Sequence, residues 1–289
     1  MAARWNHLPP VHEDFRLPFQ IGALHHIGLD FLVDPGPASR RLKKENPELE
    51  VTLFDTKACV SLNYQLYFAQ FAGGGSLTQE IELNIIAHPK ASSTFLPNLC
   101  YRQFAEGQDQ TKLSGYWRTH VVCDSPLAIQ AGKELFGEPK LPAWFETVIP
   151  SPNAAPSDAW TVTCKQAGLE NGQKLVPHDK TTFSFQIDLA GVRPVPVSMA
   201  PITMYGRSPS DDNGGRTIAA PFNVCQPYLL YPLASEDEGR YKVSVVDHTN
   251  GIGADLGSLV GDAKPVGAWT YQSPPVASQH RPYYARTIE

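Results

Sequence analysis

The chain has 289 residues and a hydrophobic fraction of 42%, which is enough for a packed core and excludes a disordered chain. Its formal net charge is −5, and it lacks a basic stripe with interleaved aromatic residues, so we expect no nucleic-acid partner. No segment approaches the roughly 18 apolar residues of a membrane helix, and the first residues lack an apolar signal core. We therefore expect no membrane partner.

The five cysteines are odd in number, widely scattered and without paired spacing, which favours reduced thiols and a cytoplasmic protein. Histidine and cysteine are too dispersed to predict a metal site, and no nucleotide-binding loop fits the chain, so we expect no metal and no cofactor. The proline-rich tail that begins at Ser273 is expected to be extended and to pack on a neighbour, which leaves a homo-oligomer open.

Alternation of apolar and polar residues, the pattern typical of β-strands, dominates the chain. In Ser76–Ile85, for example, apolar Ile81 and Leu83 alternate with Glu80 and Glu82. Three glycines at positions 73–75 join this strand to the one before it, which predicts an antiparallel pair. The other predicted strands are Val60–Phe68, Trp117–Val122, Trp160–Cys164, Thr181–Leu189 and Tyr241–Val246.

Helical patterns are sparse and short. One covers Ala38–Lys44, and a second covers Ser125–Leu135, with Ser125 as a plausible N-cap and Pro126 at the first helical position. The 26 prolines and 22 glycines separate many short elements. This punctuation favours a barrel or a sandwich over alternating βαβ units.

The most informative segment is Gly132–Pro142, which places Lys140 directly after Pro139. Proline fixes its own φ and restricts the residue before it, so the lysine follows a stiff turn. Apolar neighbours such as Phe136 and Trp144 would bury the lysine and lower its pKa. A neutral amine can attack a carbonyl, whereas an ammonium cannot. The alternative is a surface lysine that follows a turn.

This segment resembles the signature of the acetoacetate decarboxylase family, in which a lysine after a proline forms a Schiff base with the substrate. Weaker similarity runs through 63–89 and 241–248. The resemblance implies a mainly β fold, built on a large antiparallel β-barrel with a few short helices, as a single domain over residues 1–289. It also implies a small-molecule keto substrate. Four residues match the signature: Gly132, Glu134, Pro139 and Lys140.

The same resemblance implies that Glu80 lies beside the lysine, where it would transfer a proton or hold a water molecule. Glu82, on the same strand face, is a competing match. For either residue the alternative is a carboxylate that faces solvent. A second glutamate of the family corresponds to Gln65, whose amide can bind a substrate but cannot transfer a proton.

The sequence also departs from the family. The second lysine of the signature is Leu141 here, so one cation that would lower the pKa of Lys140 is lost. The family's arginine, which would bind a carboxylate, has no arginine counterpart, and the nearest positions are His25 and His26. These histidines replace its charge only when protonated, and the alternative is a pair of hydrogen-bonded structural histidines. We expect Gln65, Leu141 and both histidines to contact the substrate.

Three functions remain open. In the first, the Lys140 iminium draws electrons from a β-keto acid, which loses CO2, and the protein is a carbon–carbon lyase. In the second, the same iminium serves an aldolase, a dehydratase or a cyclising enzyme on a larger keto substrate, as the altered Gln65 and Leu141 favour. In the third, the protein is a non-catalytic ligand-binding barrel, and Lys140 is incidental.

Overall fold

A computed structural model describes residues 9–13, 15–151, 153, 159–208, 215–249, 251–277 and 281. Strands dominate this part of the chain, and the fold is mainly β, as the alternating pattern predicts. The strands are β1 (Gln20–Val33), β2 (Leu49–Val51), β3 (Leu53–Phe54), β4 (Lys57–Phe71), β5 (Gly74–Pro89), β6 (Gly115–Cys123), β7 (Lys140–Val148), β8 (Ala159–Glu170), β9 (Lys174–Asp188), β10 (Val195–Val197), β11 (Ile202–Arg207), β12 (Thr217–Phe222), β13 (Tyr228–Pro232), β14 (Tyr241–Val245) and β15 (Pro265–Gln272). The helices are α1 (Pro35–Glu45), α2 (Tyr101–Ala105), α3 (Pro126–Phe136) and α4 (Gly251–Val260), with short 3₁₀ segments at Lys90–Phe95 and Ser235–Arg240.

Hydrogen bonds join the strands in the order β10-β13-β15-β1-β4-β5-β6-β7-β8-β9-β14. The ribbon of β11 and β12 is attached through β11 to β6, while β2 pairs with β5 and β3 with β4. Most pairs are antiparallel, but β6 runs parallel to both β7 and β11. The expected fold class, mainly β with a large and mostly antiparallel sheet and a few short helices, is confirmed. The sheet is mixed, and within the described residues its ladder does not close.

The central strand β5 is buried on both faces. Ile81 and Leu83 are fully buried in the main apolar core. Glu80 and Glu82, on the opposite face, are only 3% and 1% exposed. Buried carboxylates are costly unless cations or hydrogen-bond donors meet them, so this second face, which we call the polar face, must hold their partners.

Helix α3 leads the chain to the start of β7. The Ser125 side chain accepts a hydrogen bond from the Ala128 N–H, and Pro126 occupies the first helical position, as predicted. The helix ends at Gly137, whose φ of +59° is left-handed. A Cβ on Gly137 would lie 1.8 Å from the Arg207 carbonyl oxygen, so the turn needs glycine for both conformation and space.

The proline-rich tail that was expected to pack on a neighbour lies largely outside the described residues, which include only 273–277 and 281 of it. No helix in the described part of the chain is long and apolar enough to cross a membrane. All five cysteines are free thiols.

Candidate active site

Neighbouring strands bring polar side chains together on the polar face. The register of β4 and β5 sets Gln65 opposite Glu80, and the Gln65 amide donates to Glu80 Oε1 at 3.0 Å. The Tyr67 hydroxyl donates to Glu80 Oε2 at 2.9 Å. Strand β6 pairs with β5 along one edge and with β7 along the other. The first residue of β7, Lys140, lies opposite Val121 of β6. The strand pairing therefore gives Glu80 and Gln65 the side-by-side placement that the alternation predicts.

Lys140 is 5% exposed, and its Nζ lies 2.6 Å from Glu80 Oε2 and 3.2 Å from Glu138 Oε2. The other oxygen of Glu138 binds the Arg118 guanidinium. Arg118 Nε in turn lies 3.2 Å from Glu82 Oε1. Charges of opposite sign thus alternate along Glu80, Lys140, Glu138, Arg118 and Glu82. We call these five residues the charged cluster.

Gly132, in α3, allows the charged cluster to lie against the helix. A Cβ on this glycine would lie 2.4 Å from Glu138 Oε2 and 2.6 Å from Lys140 Cδ, which is closer than real Cβ contacts come. The first residue of the lysine signature therefore has a steric reason to be glycine. Glu134, a later residue of the signature, is exposed and accepts a hydrogen bond from Gln130 of the same helix at 3.1 Å.

Arg118 reaches the polar face because β6 contains a β-bulge. The pairing of β5 with β6 sets Leu83 opposite His120 but Asn84 opposite Arg118, which leaves Thr119 as an extra residue. One extra residue reverses the side-chain alternation of the strand beyond it. In an unbroken strand, Arg118 would share the face of His120, which is the face of the apolar core.

The electrostatic surroundings of Lys140 differ from the apolar ones that were expected. Burial alone would lower the pKa of Lys140, but the carboxylates of Glu138 and Glu80 outweigh burial and raise that pKa above its ordinary value. Burial would raise the pKa of Glu80, but Lys140 and Arg118 outweigh it and lower that pKa. At neutral pH the amine is an ammonium and Glu80 a carboxylate. The lowered pKa that was expected for Lys140 is therefore wrong while Glu80 and Glu138 are ionised beside the amine.

Glu82 is a buried carboxyl group of the cluster whose pKa lies near neutral pH. Burial raises the pKa of Glu82 to about 7, although Arg118 opposes the shift. Its Oε2 accepts a hydrogen bond from Asn84 Nδ2 at 3.1 Å. When Glu82 is protonated, two cations balance two carboxylates, so the charged cluster is neutral. A buried carboxyl group that titrates near pH 7 is suited to donate or accept a proton.

The carboxylates of the charged cluster are bound by cations and are not free to act as metal ligands. Lys140 lies against Glu80 and Glu138, and Arg118 lies against Glu138 and Glu82. Over the part of the chain that the structure describes, no group of three or more His, Cys, Asp or Glu side chains could hold a metal ion. The groups at hand are an amine, carboxyl groups and a guanidinium, which suit nucleophilic attack and proton transfer.

A small cavity, open at its mouth and with about 20 Å³ accessible to the centre of a water molecule, lies beside the charged cluster. Gln65 and Glu82 line this cavity; Gln65 also donates to Glu80, and Glu82 belongs to the charged cluster. Lys140 does not line the cavity, because Glu80 and Gln65 form a hydrogen-bonded connection between its amine and the wall. The amine itself is therefore not part of the cavity wall. The remaining lining residues are His26, Asn63, Tyr116, Ile202, Met204, Phe222, Tyr228 and Trp269.

Two of the four predicted substrate-binding residues line this cavity, namely Gln65 and His26. His26 stacks on Trp269 with ring centroids 4.2 Å apart, and burial lowers the pKa of His26 to about 3. A neutral ring cannot replace the charge of an arginine. His25 lies on the opposite face of β1 by strand alternation, and Leu141 is 48% exposed, so neither belongs to the cavity wall.

Sequence reasoning missed Arg118, Glu138 and Tyr67. Glu138 lies two residues before Lys140, and Tyr67 lies two residues after Gln65. In extended chain such spacing places both members of each pair on one face, so both signals were available. Arg118 gave no such signal, because the bulge reverses its face. Arg118 therefore belongs to the charged cluster, although the sequence analysis named no arginine for the site.

Comparison with known proteins identifies the fold. No family model and no curated protein matches the sequence. The enduracididine biosynthesis enzyme MppR, in complex with the condensation product of pyruvate and imidazole 4-carboxaldehyde, matches with a TM-score of 0.58 and 12% identity, over 91% of this chain and 86% of that one. An acetoacetate decarboxylase from Legionella pneumophila matches with a TM-score of 0.52 and 9% identity, over 91% of this chain and 87% of that one. An acetoacetate decarboxylase-like enzyme from Sphingomonas wittichii matches with a TM-score of 0.50 and 13% identity, over 86% and 87% of the two chains.

These similarities extend over most of every chain compared. The protein has the fold of the acetoacetate decarboxylase-like enzymes, which confirms at the level of fold the resemblance found in the lysine segment. Identities of 9–13% carry no information about the reaction. The case for a function therefore depends on the charged cluster and on the cavity beside it.

Proposed function

We propose that the protein is an enzyme that forms a Schiff base between Lys140 and a keto acid. The reaction we assign is the loss of CO2 from a β-keto acid, which makes the protein a carbon–carbon lyase. One observation carries the proposal: a lysine that is 5% exposed has two carboxylates within 3.2 Å of its amine, in a fold shared with keto-acid enzymes. A lysine that served only solubility would lie in solvent.

The proposed reaction passes through an iminium and then an enamine on Lys140. The neutral Lys140 amine adds to the substrate carbonyl, and the carbinolamine loses water to give an iminium. The bond between the α-carbon and the carboxylate then breaks, CO2 leaves, and the electron pair moves to the iminium nitrogen as an enamine. The enamine carbon takes a proton, and water hydrolyses the new iminium to release the ketone and the lysine.

The resting charges must change before the amine can attack. Glu80 Oε2, at 2.6 Å, is the nearest acceptor for the ammonium proton, and Glu138 Oε2, at 3.2 Å, is the second. Transfer within such a pair leaves a neutral amine beside a neutral acid, so no unpaired charge is buried. The protonated Glu80 can then return the proton to the leaving water. This route replaces the second cation that is absent at Leu141.

A specific observation favours an aldolase, dehydratase or cyclising enzyme as the second candidate. All three nitrogens of Arg118 already have partners, in Glu82, Glu138 and Met204. Two glutamates already neutralise the Arg118 guanidinium, which weakens its attraction for a substrate carboxylate and favours a reaction in which no carboxylate is lost. The bound condensation product in the MppR structure is of that chemical type. A non-catalytic ligand-binding role is the third candidate.

Borohydride trapping tests the proposal directly. The protein is incubated with acetoacetate or pyruvate and sodium borohydride, and the covalent adduct is measured by intact mass and located by peptide mapping. We expect one adduct, on Lys140. Lys140→Ala should abolish trapping and turnover, and Lys140→Arg should do the same, because a guanidinium stays charged and forms no imine. Lys133→Ala, which changes an exposed lysine of the same segment, is the matched control and should behave as the unchanged protein.

The outcomes separate the three candidates. Trapping on Lys140 with release of CO2 supports the decarboxylase, and trapping without CO2 supports the aldol or dehydration reaction. Full activity in Lys140→Ala would overturn the Schiff-base mechanism. Absence of any adduct, combined with tight binding of the keto acids, would favour the non-catalytic role.

We also propose a cytoplasmic location. All five cysteines are free, three of them buried, and free thiols in this number are usual in reducing compartments. Fractionation of cells that produce the protein would test this placement.

A further inference from the structure

The cavity beside the charged cluster has polar atoms for which the protein provides no partner. His26, Asn63 and Tyr116 all line it, and they are 3%, 4% and 2% exposed. Each carries a buried polar atom without a hydrogen bond, namely His26 Nδ1, Asn63 Oδ1 and the Tyr116 hydroxyl. Buried polar atoms are nearly always hydrogen-bonded. Three exceptions around one cavity indicate a ligand that bonds to them.

One of these three atoms, Asn63 Oδ1, is a carbonyl oxygen and accepts hydrogen bonds. His26 Nδ1 donates or accepts according to the tautomer of the neutral ring. The Tyr116 hydroxyl can donate or accept. A hydroxyl group on the ligand, which both donates and accepts, matches all three atoms.

The aromatic side of the cavity is held rigidly. Trp269 lies across Gly28, where a Cβ would come within 2.4 Å of the indole. Its Nε1 donates to Asp30 Oδ1 at 3.3 Å, and the Tyr101 hydroxyl donates to Asp30 Oδ2 at 3.0 Å. Tyr228 packs against the indole with ring centroids 5.1 Å apart. A wall fixed in this way loses little entropy when it binds a ligand.

The charges of the cavity wall disfavour an anion. No Lys or Arg is among the lining residues, and His26 is neutral at physiological pH. Glu82, the one carboxyl group in the wall, would repel an anion when ionised. A purely apolar group would in turn leave the three polar atoms unpaired, which weakens binding. An uncharged group that carries a donor meets both conditions.

We propose that this cavity binds an uncharged, hydroxyl-bearing end of the keto substrate. The inference rests on the proposed function, because it takes the reacting carbonyl to lie at Lys140. Gln65 lines the cavity and donates to Glu80, which contacts Lys140, and the proposal takes the substrate to extend along this connection from the lysine into the cavity. The substrate class is therefore a hydroxylated keto acid of short chain length.

Three keto acids that differ only in the group at the end of one chain test this inference. They are 2-oxopentanoate, 4-hydroxy-2-oxobutanoate and 2-oxoglutarate, whose chains carry at the same position a methyl, a hydroxyl and a carboxylate group. Pyruvate serves as the truncated reference. We expect the concentration for half-maximal borohydride trapping on Lys140 to be about 10- to 100-fold lower for the hydroxyl acid than for the methyl acid, the factor that follows from leaving a buried polar group unpaired. The carboxylate acid should be the poorest of the three.

Tyr116→Phe tests the cavity itself, because it removes one of the three unpaired polar atoms. The preference for the hydroxyl acid over the methyl acid should fall several-fold in this variant. Tyr205→Phe is the matched control. The Tyr205 hydroxyl bonds to the Leu113 carbonyl at 2.7 Å and lies outside the cavity wall, so its loss should leave the preference unchanged.

The two proposals fail in different ways. Equal trapping of the methyl and hydroxyl acids would overturn the cavity assignment and leave the Schiff-base function standing. If no acid is trapped, the Schiff-base function fails, and the cavity is then tested by the tryptophan fluorescence change on binding. A stronger change with the hydroxyl acid would support the cavity assignment, and the same change with all three acids would overturn it.

Discussion

Lys140 is surrounded by charge and not by apolar side chains. A buried ammonium costs free energy unless carboxylates pair with it, and Glu80 and Glu138 do so here. The same contacts raise the pKa of Lys140, which opposes nucleophilic attack. The site resolves this conflict if a carboxylate takes the lysine proton when the substrate arrives. Such a role can be separated from simple charge balance by substitution of one carboxylate.

Glu80→Gln is expected to separate imine formation from turnover. Glutamine removes a negative charge, so the pKa of Lys140 should fall, while Glu138 still accepts its proton. Trapping of pyruvate should therefore persist. Turnover should fall by ~10²–10⁴-fold, because Glu80 no longer transfers a proton. Trapping is measured by intact mass, and turnover by substrate loss, on the same preparation.

Glu146→Gln is the matched control for this substitution. The Glu146 side chain is 58% exposed and pairs with Lys165 at 2.7 Å, outside the charged cluster. Both trapping and turnover should match those of the unchanged protein. If Glu80→Gln loses trapping and turnover to the same extent, Glu80 holds Lys140 in place and does not transfer the proton.

At the scale of elements, the contact of α3 with the start of β7 positions the lysine. Replacing a helical glycine by alanine usually raises the free energy of unfolding by about 0.8–1 kcal/mol. Gly132→Ala should instead lower it. The new methyl group would overlap Glu138 Oε2 and Lys140 Cδ, and overpacking costs about 1–3 kcal/mol. The free energy of unfolding in urea should therefore fall. Trapping should fall with it, because Lys140 is displaced.

Gly257→Ala, in α4, gives the comparison. A Cβ there would meet only His248 Nδ1, at an ordinary distance of 3.5 Å. The free energy of unfolding should rise by up to about 1 kcal/mol, and trapping should stay the same. Equal stability of the Gly132→Ala and Gly257→Ala variants would contradict the close approach of the cluster to α3.

The elements that the sequence predicted are those specified by local signals. The alternation of Ser76–Ile85 lies within β5, and the cap at Ser125 begins α3. The bulge at Thr119 has no local signal, because it arises from the pairing of β6 with β5 on one side and with β7 and β11 on the other. Glu80 and Lys140 could be predicted because they match a sequence signature, whereas Arg118 reaches the polar face only through this bulge.

At the scale of the whole molecule, the first and the last described strands meet in one sheet. β1 lies between β15 and β4, so the first and last strands are neighbours. In the ladder of the described residues, three residue pairs of β6 with β7 join strands β7, β8, β9 and β14 to the rest of the sheet, and Lys140 is in the first of these pairs. The main apolar core nevertheless includes residues from both parts, such as Leu29 of β1 and Phe183 of β9.

Because both parts share this core, we expect residues 1–289 to unfold in one cooperative transition, as a single domain. Calorimetry should give one peak, and tryptophan fluorescence should report the same midpoint. Phe183→Ala and Leu29→Ala remove fully buried side chains from the two parts, and each should lower this common midpoint, at a cost of about 2–5 kcal/mol. Two calorimetric peaks, one shifted only by Phe183→Ala and the other only by Leu29→Ala, would contradict the prediction. They would show that the strands around β9 form a separate domain.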